Sequence, residues 1–100
     1  MKTIVVNRHK EPYDLADPKY IYIGRGTVFG NPYIVGVNVD TREEAVKLYL
    51  PYALSNPQIM NSLCSLQGKV LVCSCKPKLC HGDVLVELIQ QFCLENFLGD

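Results

Sequence analysis

The stretch Lys69-Val70-Leu71-Val72-Cys73-Ser74-Cys75 constrains the fold more than any other. Its apolar residues run on without the alternation of a half-exposed strand, which is the pattern of a central strand covered on both faces. Such strands belong to parallel sheets, whose crossovers lay helices over the sheet. The loop Lys76-Pro77-Lys78-Leu79-Cys80-His81-Gly82 then leads directly into a helical pattern. Val84, Leu85, Leu88, Ile89 and Phe92 form one apolar face, widened by Val86, Cys93, Leu94 and Phe97. Strand, loop and helix in that order predict an α/β class with a small, mostly parallel sheet and helices packed on it.

The remaining elements fit around this unit. Residues 3–7 are a short β-branched run ending in Arg8-His9-Lys10, and residues 20–23 are a second run stopping at Gly24-Arg25-Gly26. Residues 34–39 are predicted as an edge strand. Thr41-Arg42-Glu43-Glu44 matches a capping box at a helix start. Ala45, Leu48, Tyr49, Tyr52 and Ala53 then recur at helical spacing, with Pro51 expected to kink or shorten the helix. Asn56-Pro57 reads as an N-cap with proline in the first turn of a short helix running toward Gly68. A chain of 100 residues is too small to divide, so residues 1–100 are expected to form one domain.

Composition narrows the classes of function. Ten basic and ten acidic residues cancel, which argues against a dedicated duplex DNA binder and leaves only local nucleic-acid contact. No apolar run approaches a membrane span, and the opening segment reaches Arg8 too soon for a signal peptide, so a cytoplasmic protein without membrane partners is expected. Five cysteines, an odd and clustered set, suit reduced thiols in the cytosol. For Cys64 and Cys93, on helical patterns away from the cluster, buried apolar side chains are the expected role.

Open α/β sheets bind ligands at the carboxyl ends of their strands and at the N-termini of the following helices. Three such ends carry chemistry here. Arg8 and His9 follow the first strand, Gly24, Arg25, Gly26, Gly30 and Asn31 follow the second, and Lys78, Cys80 and His81 follow the third. If the strands are parallel, these residues gather on one rim. The start of the last helix favours an anion such as phosphate, and Arg25 and Lys78 would add full charges. Cys80 at that start is the candidate thiolate, with His81 and Asp83 beside it as partners in acid and base chemistry. Cys73, Cys75, Cys80 and His81 alternatively offer zinc a Cys3His ligand set, although the spacing lacks the usual two-residue knuckle. A plain structural role, with Cys73 and Cys75 as core residues and the glycines in tight turns, competes with both.

The blocks Tyr22-Ile23-Gly24-Arg25-Gly26-Thr27-Val28-Phe29-Gly30-Asn31-Pro32-Tyr33 and Gly68-Lys69-Val70-Leu71-Val72-Cys73-Ser74-Cys75-Lys76-Pro77, with Cys80-His81-Gly82-Asp83-Val84-Leu85, resemble a family of unknown function. It is the domain of unknown function numbered 4326, frequent in phages, other large DNA viruses and bacteria. Arg42-Glu43-Glu44-Ala45-Val46 extends the likeness over nearly the whole chain. Ser74 departs from the family pattern, where an aromatic residue is common. The resemblance implies that both loops belong to one shared site, and it brings no reaction with it. The leading expectation is a domain binding a phosphorylated, nucleotide-like ligand, with a place in nucleotide or nucleic-acid metabolism. The alternative is a zinc-stapled, non-enzymatic module contacting nucleic acid or protein.

Overall fold

Three strands pair in the order β1-β3-β2: β1 (Ile4–Asn7), β2 (Tyr20–Tyr22) and the central β3 (Val70–Cys73). Both pairings are parallel, with Asn7 opposite Cys73 and Tyr22 opposite Val72, so all three strands end on one rim. The structure is a computed structural model, and it describes residues 3–10, 12–74 and 78–93. Leu71, Val72 and Cys73 are buried, as the unbroken apolar run of a central strand requires.

Between β2 and β3 the chain forms α1 (Arg42–Leu54), α2 (Pro57–Ser62) and a 3-10 turn over Leu63–Leu66. After β3 comes α3 (His81–Phe92). The starting signals act as their chemistry dictates. The Thr41 hydroxyl accepts from the Glu44 amide at 3.1 Å, and the Asn56 side chain accepts from the amides of Gln58 and Ile59. The return contact of the first box is shifted by one residue, since Glu44 Oε1 accepts from the Asp40 amide at 2.9 Å. Pro51 does not end α1, which continues to Leu54.

Ile23, Tyr49, Ile59, Leu63, Leu66, Leu71, Leu85, Leu88 and Ile89 form the centre of the core. It joins the sheet to α1, α2, the 3-10 turn and α3.

Three expectations are corrected. Residues 34–39 form a turn around Gly36 (φ 86°), closed by the Gly36 amide on the Val39 carbonyl at 2.8 Å, with one isolated bridge in place of an edge strand. Phe92 is exposed at the last position of α3 and does not complete the buried face. Cys64 and Cys93 are joined in a disulfide and are not two separate apolar side chains, so reduced thiols are found at Cys73 and Cys80 and not at this pair. Leu94 and Phe97 lie outside the described residues.

Candidate functional site

The parallel register brings the chain segments after β1 and β2 to either side of the end of β3. The ladder continues one step past the strands, through the Arg8 amide on Cys73 O (2.7 Å) and the Ile23 amide on Val72 O (3.0 Å). Beyond that point the segments diverge. The Asn7 carboxamide accepts from the His9 amide at 2.7 Å and turns the chain, leaving His9 and Lys10 exposed. Arg8 folds back onto β2, its guanidinium 5.2 Å from the Tyr22 ring centroid and 3.4 Å from the Tyr22 hydroxyl.

The glycine-arginine loop is wound by two successive turns, with the Thr27 hydroxyl on Gly24 O at 2.7 Å and the Gly30 amide on Thr27 O at 3.1 Å. Gly26 takes the left-handed φ of 88° that the first turn needs. α1 fixes the far end. Asn31 donates to Ala45 O at 3.0 Å and accepts from the Tyr33 amide at 3.0 Å, while the buried Tyr49 hydroxyl donates to Phe29 O at 2.7 Å. Gly30 lies so close to the start of the loop that a Cβ there would sit 2.8 Å from Gly24 O and 3.2 Å from Arg25 Cα. Both are backbone atoms and cannot swing aside. Gly30→Ala is therefore expected to destabilise the fold by about 1 to 3 kcal/mol, measured by urea unfolding, because the loop carrying Arg25 must shift.

The third segment carries the thiol and the imidazole. Cys80 is the N-cap of α3, its Sγ accepting from the Gly82 amide at 3.3 Å, while Asp83 Oδ2 accepts from the Cys80 amide at 3.3 Å. Asp83 thus closes a capping box. His81 is buried, with its ring 4.9 Å from that of Tyr49 in an edge contact. Its Nε2 lies 2.8 Å from Ile23 O. A carbonyl oxygen only accepts, so Nε2 carries the proton and Nδ1 of the neutral ring is left as an acceptor. That Nδ1 is 3.8 Å from Cys80 Sγ, so these adjacent residues do face each other. Burial pushes the His81 pKa down from its ordinary value, against smaller opposing effects led by the contact with Ile23.

These segments and the first turn of α1 enclose a cavity of about 440 Å³. Of the residues predicted from sequence, it brings together Gly24, Arg25, Asn31, Cys73, Cys80 and His81. Arg8, His9, Gly26, Gly30, Lys78 and Asp83 do not line it; Arg8 reaches it only through Tyr22, and His9 and Lys78 are exposed elsewhere. Cys75 lies outside the described residues. Among the described residues, no three His, Cys, Asp or Glu side chains are grouped to hold a metal ion. Sequence reasoning missed Tyr22 and Tyr33 as lining residues, and above all Arg42, the first residue of α1. Among the described residues, the lining includes Arg25 and Arg42 and no Asp or Glu. It also meets the N-terminal ends of α1 and α3, whose helix dipoles add partial positive charge.

Comparison with known proteins gives two matches. The family model described as "Domain of unknown function (DUF4326)" matches residues 6–91. An "Uncharacterized 12.4 kDa protein in nrdA-td intergenic region" of Enterobacteria phage T4 is 33% identical over 97 residues, covering 93% of this chain and 82% of the relative. No solved structure matches. Among the described residues, no helix is long and apolar enough to cross a membrane.

Proposed function

Because this chain belongs to the DUF4326 family of unknown function, its activity has to be read from the cavity, and we propose that it binds a phosphorylated, nucleotide-like ligand there. One observation carries the reading: Arg25 and Arg42 line the same cavity, and among the described residues no Asp or Glu lines it with them. Tyr22 and Tyr33 offer aromatic surface for a planar ring, and the volume suits one small ligand. Any chemistry falls to Cys80, with His81 Nδ1 at 3.8 Å to take up the thiol proton. Such a protein would serve nucleotide or nucleic-acid metabolism in a virus or bacterium.

Titration of wild type and Arg25→Ala with nucleotides, sugar phosphates and short single strands tests the reading. Loss of a charge-assisted, potentially bidentate contact is expected to weaken binding by about 1.5 to 3 kcal/mol. Stability should stay within about 0.5 kcal/mol, because Arg25 is exposed. No binding by wild type, or equal binding by both proteins, ends the proposal. Stoichiometric zinc in the purified protein would instead favour the interaction module held together by Cys73, Cys75, Cys80 and His81.

A further inference from the structure

Arg42 stands at the first position of α1, half-buried, with its residue in the wall of the cavity. Surface arginines on a helix start commonly find a carboxylate, and Glu43 and Glu44 follow immediately in sequence. Neither is such a partner: Glu44 is turned back onto the Asp40 amide, and among the described residues neither Arg42 nor Arg25 makes a hydrogen bond or ion pair. Two arginines therefore line one concave space, and among the described residues no Asp or Glu lines it with them. Their mutual repulsion is larger in a partly desolvated cavity than in open water, and a bound anion relieves it in proportion to its charge.

We infer that the anionic group of the ligand is a terminal phosphate monoester held between Arg25 and Arg42, which makes Arg42 a binding residue. The inference rests on the nucleotide reading above and sharpens it. A monoester near neutral pH carries about −1.5 to −2 charges on three terminal oxygens, enough to meet both guanidiniums, since a phosphomonoester has its second pKa near 6. An internal phosphodiester carries one charge and two free oxygens. It would leave one guanidinium without a full counter-charge. The substrate class is thus a mononucleotide or similar phosphomonoester, and not an internal position of a strand.

The test is calorimetric titration of the full chain with adenosine, guanosine, cytidine and thymidine 5′-monophosphates, the matching nucleosides and the matching dinucleoside monophosphates. Wild type, Arg25→Ala, Arg42→Ala and Arg42→Lys are compared. The best monophosphate is expected to bind at least about tenfold tighter than its nucleoside and its dinucleoside monophosphate. Arg42→Ala should lose about tenfold or more, and Arg42→Lys should recover part of that loss, since a point charge replaces a fork. Thermal unfolding of the ligand-free variants shows that each still folds. Should a dinucleoside monophosphate bind as tightly as the monophosphate, or should Arg42→Ala bind as wild type does, the monoester inference is overturned while nucleotide binding stands. Absence of binding by every compound overturns both.

Discussion

Opening the Cys64–Cys93 bond is expected to lower the unfolding free energy by about 3 to 4 kcal/mol. The cysteines are 29 residues apart, and closing a loop of that size restricts the unfolded chain by about this amount in the chain-entropy account. The bond ties the 3-10 turn, which buries Leu63 and Leu66, to the C-cap of α3, so it clamps two elements that already share the core. Cys64 is exposed and Cys93 is buried, so the bond joins the surface of the 3-10 turn to the core. For a domain of this size the midpoint of thermal unfolding should fall by well over about 10 °C. Urea unfolding of the oxidised protein, the reduced protein and Cys64→Ser measures the effect. Reduced wild type and the variant should coincide, both below the oxidised form; coincidence of all three would mean that the bond adds no stability. Neither cysteine lines the cavity, so ligand binding is expected to survive its opening below the new midpoint.

Why the sequence disclosed some of this and not the rest follows from the range of the forces involved. The unbroken apolar run of β3 is satisfied between two strands, and that pattern alone implies the centre of a parallel sheet, where β3 lies. Parallel strands then forced the segments after Tyr22 and Cys73 onto one rim, where Arg25, Cys80 and His81 meet. Arg42 was hidden because its local pattern is explained completely by helix capping; that α1 starts against the cavity depends on Asn31 and Tyr49 tying α1 to the glycine-arginine loop. Cys64 and Cys93 were hidden for a similar reason. Each sits at a helix end with its own local explanation, and nothing in a separation of 29 residues signals that the ends meet. His9 and Lys78, suggested by their position after a strand or before a helix, are exposed and do not line the cavity; at His9 the turn closed by Asn7 leads the chain outward.

His81 supplies the second large effect, because one ring fastens α3 to β2, packs on Tyr49 and faces Cys80. His81→Ala is expected to destabilise the fold by about 2 to 4 kcal/mol, since it removes a hydrogen bond to a buried carbonyl and leaves a gap beside Tyr49. His81→Gln keeps an amide donor for Ile23 O and should cost less. The two variants separate again when pH is changed. Burial lowers the His81 pKa in the folded chain, so between the ordinary value of about 6.5 and that lower value the unfolded chain binds the extra proton. Unfolding free energy then rises with pH across that window, and wild type must lose stability as pH falls below about 6.5, by up to about 1.4 kcal/mol per pH unit. His81→Gln has no proton to gain there and should show a flatter profile through the same window. Urea unfolding from pH 7 down to pH 5 checks both, and parallel profiles for wild type and His81→Gln would show that the ring is not held neutral by the fold. The neutral ring matters for the chemistry as well. Only with Nε2–H committed to Ile23 O is Nδ1 an acceptor toward Cys80, so acid that protonates His81 is expected to remove that acceptor, and with it the proposed role as a base, at the same pH where it begins to loosen α3 from the sheet.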